Sequence, residues 1–270
     1  MNFVRRHTGL GLAALFLCFA VFVKPASAAD VIPHHATYLL SLKSAGHSEV
    51  SDVIGSIEFD WEDACDGWAV SYRMDMIFVY QGGNEMRFGM NVASWESKDG
   101  NRYRFFVKRL EGDQVTEEFR GEAELSGPGG PGKAEYTLPE PKSVDLPAGT
   151  LFPTAHSLRV LEIVAQGQTF LWATFFDGSD GNGALGVNAV VTDRKNADAA
   201  IGKAWPLLAG AAYSNVQLAF FRSSDESTLP ESEQQLLMFD NGVTSDLVFD
   251  YGDFSVAGKL KELTRLKPSC

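Results

Sequence analysis

From Trp68 onward the chain alternates. WAVSYRMDMIFVY (68–80), EMRFGMNVASWES (85–97) and RYRFFVKRL (102–110) place apolar and polar side chains at successive positions, with Gly82-Gly83-Asn84 and Asp99-Gly100-Asn101 between them. A period of two broken by Gly and Asn predicts strands joined by tight hairpins. The pattern continues through QVTEEFRGEAEL (114–125), KAEYTL (133–138), QTFLWATFF (168–176), ALGVNAVVTD (184–193), SNVQLAFFR (214–222), QQLLMFD (234–240), TSDLVFDY (244–251) and FSVAGKLKEL (254–263). One segment departs from it. In PTAHSLRVLEIVAQG (153–167), Ala155, Leu158, Leu161 (or Ile163) and Val164 fall near helical spacing, Thr154 can cap the start and Gly167 the end. A second, weaker helical turn is expected near GKAWPLLAGA (202–211), around Pro206. The expected fold is mainly β: a single curled or barrel-like antiparallel sheet, with one main helix covering its core at one side.

The N-terminus changes the compartment. Arg5 and Arg6 precede an apolar run from Gly9 to Val23 and the small triplet Ala26-Ser27-Ala28. That run is too short to cross a bilayer, and the order basic, apolar, A-x-A is that of a secretory signal peptide. Residues 1–28 are therefore expected to be cleaved between Ala28 and Ala29, leaving 29–270 as a single all-β domain in the periplasm without a transmembrane segment. Cys18 leaves with the signal. The full chain has a formal charge of −12, and losing Arg5, Arg6 and Lys24 makes it more negative. A surface of that sign repels phosphate backbones and anionic headgroups, which argues against nucleic acid and electrostatic membrane docking.

Two cysteines remain, Cys65 and Cys270, in a chain bound for an oxidising compartment, and the default reading is a disulfide between them. Prenylation requires the cysteine fourth from the end, and no C-x-x-C or ligand-spaced histidine accompanies either cysteine.

Candidate chemistry is sparse. His34 and His35 are adjacent and point to opposite faces if extended, His47 sits in a Ser/Gly turn, and His156 lies in the first helical turn. GPGGPGK (127–133) lacks the hydroxyl residue of a phosphate loop, and DGSDGNG (177–183) lacks the ligand spacing of a calcium loop; both read as turns. No cofactor or metal is expected. A carboxylate-dependent hydrolase would have to use acids such as Asp240, Asp246, Asp250 and Asp253, although Asp250 and Asp253 flank a simple turn. Aromatics are abundant, with adjacent pairs at Phe105-Phe106, Phe175-Phe176 and Phe220-Phe221. One ring of each pair should enter the core and the other a second apolar layer, either covered or open as a ligand cleft.

LPAGTLFPTAHSLRVLE (146–162), DYGDFSVAGKLKEL (250–263), the signal peptide and the cysteine pair together resemble the EipB family of periplasmic cell-envelope integrity proteins. The resemblance implies a broken β-spiral, or half-barrel, with a helix alongside, and a disulfide matching Cys65 and Cys270. It implies no enzyme activity. It directs attention to the loop and helix start at Pro147, Gly149, Thr150, Phe152, Pro153 and His156. The function expected is non-enzymatic support of envelope integrity through a periplasmic partner protein or an envelope glycan. The alternative is a carrier of a lipid or other apolar envelope component.

Overall fold

The computed structural model describes residues 31–222 and 229–268. The proposed cleavage site at Ala28 and Ala29, and Cys270, lie outside them. The described residues form fifteen strands in one sheet, of order β8-β7-β6-β5-β4-β3-β2-β1-β15-β14-β13-β12-β11-β10-β9. These are β1 (His34–Ser44), β2 (Val50–Asp63), β3 (Gly67–Tyr80), β4 (Glu85–Ser97), β5 (Arg102–Glu111), β6 (Gln114–Leu125), β7 (Gly132–Leu138), β8 (Lys142–Leu146) and β9 (Thr150–Leu151). After helix α1 (Pro153–Ala165) follow β10 (Phe170–Phe175), β11 (Leu185–Asn196), β12 (Ala212–Arg222), β13 (Ser232–Phe239), β14 (Thr244–Asp250) and β15 (Ser255–Arg265). A short helix α2 (Ala199–Ala204) and a 3-10 turn at Pro206–Leu208 stand where the weaker helical signal lay.

The order follows from hairpin logic. Consecutive strands pair antiparallel from β1 to β8 and again from β10 to β15. β1 then pairs with β15, joining the two meanders into a nearly closed curl. Its two edges, β8 and β9, are consecutive in sequence, so Pro147–Gly149 spans the gap. β9 is parallel to β10 and only two residues long.

Alternation settles which face is inside. Ala36, Tyr38 and Leu40 of β1 stand opposite Phe59, Ile57 and Gly55 of β2 and face inward, beside Met74, Met76 and Phe78 of β3. The intervening Leu39 and Ile54 are 52% and 59% exposed on the outer face.

α1 lies within the curl and touches both meanders. Val160, Ile163 and Val164 pack on Ala189, Val191 and Val216 of β11 and β12, while Leu161 meets Trp61 of β2 and Val31. This is broader burial than one stripe, because the helix has sheet on more than one side. Thr154 does not cap it. The N-cap is Phe152, which offers no side-chain acceptor, and Thr154 is buried inside the first turn. Glu96 of β4 does the capping from a distance: its two carboxylate oxygens accept the N–H groups of Thr154 and Ala155, each at 2.7 Å.

The paired aromatics also differ from expectation. Phe105 and Phe220 face inward, but Phe106 and Phe221 lie on the outer face, against Arg120 and Trp172 respectively, instead of under a second layer. Phe176 is the exception, since it lies beyond the end of β10 and is fully buried.

Candidate ligand-binding lumen

The resemblance-marked loop closes the sheet. Phe152 is fully buried and stacks on Tyr103 of β5 at 5.1 Å, with Phe176 at 6.3 Å from Phe152 and 5.8 Å from Phe105. This cluster, with Tyr136 and Leu146, packs the seam between the two edges. Gly149, at φ +83°, donates its N–H to the Gly129 carbonyl, and Thr150 turns its hydroxyl back onto Pro147 at 2.7 Å. Pro153 occupies the first helical turn, where a missing N–H costs nothing. Pro147, Gly149, Thr150, Phe152 and Pro153 are thus gathered at the seam, whereas His156 lies one turn into the helix with its ring against Phe175.

Loop 177–183 straps the same gap. Its backbone carbonyls accept hydrogen bonds from side chains of other strands: Asp177 from the Tyr103 hydroxyl at 3.1 Å, Ser179 from Arg109 at 3.1 Å, Asp180 from the Tyr136 hydroxyl, and Gly181 from Lys142 at 2.6 Å. Arg222 of β12 holds the Asp180 carboxylate at 3.1 Å and Glu231 at 2.6 Å. A Cβ on Gly178 would lie 2.4 Å from the Phe105 ring, so the strap presses directly on the seam cluster. These carbonyls serve the sheet's own donors, and among the described residues no cluster of metal-ligating side chains forms.

Away from the seam the inner face is not filled. A cavity of about 280 Å³ is lined by His34, Tyr38, Phe59, Trp61, Tyr72, Met74, Leu236, Met238, Leu247 and Phe249. It adjoins a second, more polar space of about 520 Å³ bounded by Arg109, His156, Phe175, Asp177, Asp180, Arg222 and Tyr251, and the two share Ser157, Gln234 and Leu236. The result is a lumen with an aromatic and aliphatic floor and a polar mouth.

Its titratable groups are tuned by burial. Desolvation lowers the His156 imidazole to about 4 and also lowers His34, although the Ile32 carbonyl accepts from the His34 ring at 2.7 Å. Both rings are neutral at ordinary pH. Burial raises the Asp177 carboxyl, against the opposing pull of the Ser179 N–H. Burial also pushes Glu96 up to about 7, opposed by the two helix N–H bonds. His35 points outward, as the alternation requires, and its Nδ1 lies 2.8 Å from Asp60.

The sequence-selected acids do not converge. Asp240 is paired with Arg194 at 2.6 Å, Asp246 is exposed beside Ser245, Asp250 accepts the Gly252 N–H, and Asp253 sits in the β14–β15 turn. Cys65 is in the β2–β3 turn at φ +68°, with its N–H on Asp63. What sequence reasoning missed is Glu96, Asp177 and the lumen floor of β1 and β2. Only the alternation of β4 hints at Glu96, by placing an acid at an inward position.

The family model described as EipB-like matches residues 25–267. The chain belongs to the EipB-like family. It is 29% identical over 280 residues to the cell envelope integrity protein EipB of Brucella abortus (strain 2308), covering 97% of this chain and 95% of that protein. The crystal structure of a β-barrel-like protein from Brucella abortus superposes with a TM-score of 0.82 at 26% identity, covering 89% of this chain and all of that one. The curled sheet is therefore a family architecture. No helix among the described residues is long and apolar enough to cross a membrane.

Proposed function

We propose that this EipB-like chain is exported to the periplasm, where it supports envelope integrity without catalysis, by holding an apolar or amphipathic envelope molecule in the lumen. The observation that carries this reading is the unfilled apolar floor opening through a polar mouth. Interiors are ordinarily packed to crystal density, so an apolar void bounded by aromatic rings is a place for a guest. Neutral His34 and His156 keep the walls compatible with hydrocarbon, and the polar mouth, where Ser157 and Gln234 join it to the floor, suits a polar head. The curated relative's name, a cell envelope integrity protein, agrees with the compartment.

The Cys65–Cys270 bridge belongs to the same proposal. Arg265 of β15 stands opposite His34, which stands opposite Trp61, so the chain leaves β15 at the end of the sheet where Cys65 turns.

The test is a titration of the mature protein with a fluorescent fatty acid at low and high salt. Saturable uptake that changes little with salt, is displaced by palmitate, and weakens about tenfold or more on Leu247→Trp is expected. Absence of uptake, or uptake indifferent to Leu247→Trp, overturns the lumen reading. A partner protein or glycan would instead engage the outer surface.

A further inference from the structure

We propose that the outer face of β4–β7 is a binding site for a carboxylate-bearing saccharide, built on the row Trp95, Arg104, Glu122 and Glu135. The four residues are consecutive cross-strand partners: Trp95 opposite Arg104, Arg104 opposite Glu122, and Glu122 opposite Glu135. They form a transverse stripe across four strands, roughly 15 Å at the usual strand spacing. On one side of the stripe is a shallow groove of about 660 Å³, with Phe106 and Arg120 in its walls, and on the other a more polar one of about 510 Å³; both are lined by all four residues.

The chemistry of the stripe names its occupant. The Arg104 guanidinium lies 4.5 Å from the Trp95 ring and the Arg120 guanidinium 5.0 Å from Phe106. Both arginines are exposed, and among the described residues neither forms an ion pair, in a chain whose formal charge is −12. A guanidinium stacked on a ring has its planar fork held in place with its donors outward, which suits a planar oxyanion. The rings supply flat apolar ground, and a sugar presents an apolar C–H face of matching size. Glu122 and Glu135 make the choice narrower. Their carboxylates repel an acidic peptide or a cluster of phosphates, but they accept hydrogen bonds from hydroxyl groups. Glu135 already accepts from the Ser143 hydroxyl at 2.7 Å, which shows that geometry in place. A ligand with hydroxyls, an apolar ring face and one carboxylate per ring satisfies all three elements.

The site is on the opposite face of the sheet from the lumen, so the two are separable. The experiment titrates the mature protein with trigalacturonate, and with maltotriose, inorganic phosphate and hexaglutamate as comparators, followed by calorimetry. Trigalacturonate is expected to bind at least about tenfold more tightly than any comparator. Arg104→Gln and Arg120→Gln should each weaken it about tenfold, and Trp95→Ala should weaken it as well, with fatty-acid uptake and melting temperature unchanged in the two exposed arginine variants. No binding of trigalacturonate overturns the proposal. So does equal binding by the Arg104→Gln/Arg120→Gln double variant, or binding of phosphate or hexaglutamate as tight as that of the sugar.

Discussion

The seam and the lumen are built from the same residue classes on the same inward face, yet one is packed solid and the other is open. At the seam, Tyr103, Phe105, Tyr136, Phe152 and Phe176 interlock ring on ring. At the lumen floor, Tyr38, Phe59, Tyr72 and Phe249 line a void. The difference comes from what enters from outside the sheet. The seam receives Phe152 from the loop before α1 and Phe176 from beyond the end of β10, whereas the floor is met by the flank of α1 near Leu158 and Leu161 and by no aromatic ring from outside the strands among the described residues. Curling a sheet does not fill it, and the inserted segments decide where space remains.

That contrast is sharpest in truncation. Phe152→Ala should cost about 3–5 kcal/mol, whereas Phe249→Ala, which only enlarges an existing cavity, should cost roughly half as much or less. Urea unfolding of the two variants decides it, and equal losses would show that the floor is packed as tightly as the seam. The next effect concerns how the open half keeps its shape. If the bridge from Cys65 constrains it, Cys65→Ser should lose about 2–4 kcal/mol and melt several degrees lower, with fatty-acid uptake falling before the seam rings lose their near-UV signal. Two alkylatable thiols in the exported, unreduced protein would remove that account.

The smallest effect is a pH signature at the junction of the two regions. Glu96 is raised from 4.5 to about 7 by burial, so the folded protein holds its proton more tightly than the unfolded chain. It contributes stability below pH 4.5 that is lost as pH rises to about 7, of order 3 kcal/mol at most. His156 acts oppositely: lowered from 6.5 to about 4, it adds stability as pH rises through that window. The wild type should therefore be nearly flat between these limits, and Glu96→Gln should instead climb with pH. Thermal melts from pH 4 to 8 read the slopes, and parallel curves for the two proteins would refute the assignment to Glu96.

Much of the strand map was legible because the inward positions of β3 and most of those of β5 and β6 are apolar, and the β3–β4, β4–β5, β5–β6 and β6–β7 turns carry glycine. β1 and β2 escaped notice for a physical reason. Outward Leu39 and Ile54 are apolar, while inward His34 and Gly55 are not, so the period is blurred. β8 and β9 are too short to show a period, although β9 and its neighbours close the sheet. The helix was legible, but its cap was not, because the partner of Thr154 lies 58 residues earlier and no local spacing encodes it. The bridge stands where the sequence left it, since Cys270 is outside the described residues. The outer Trp95 stripe was invisible for a different reason: its members become neighbours only through strand register.

The single ladder between β1 and β15 has a kinetic consequence. Among the described residues all the other antiparallel pairings join strands that follow one another in the chain, but this one joins Ala36 to Leu263. Hairpins close in microseconds, and a contact across most of the chain must wait for both meanders and bear the larger loop-closure entropy. Until it forms, two long strand edges with apolar faces stand open to other copies. Folding yield should thus fall with concentration. A substitution that weakens only the β1–β15 ladder should aggravate the aggregation far more than it lowers the stability of the finished protein.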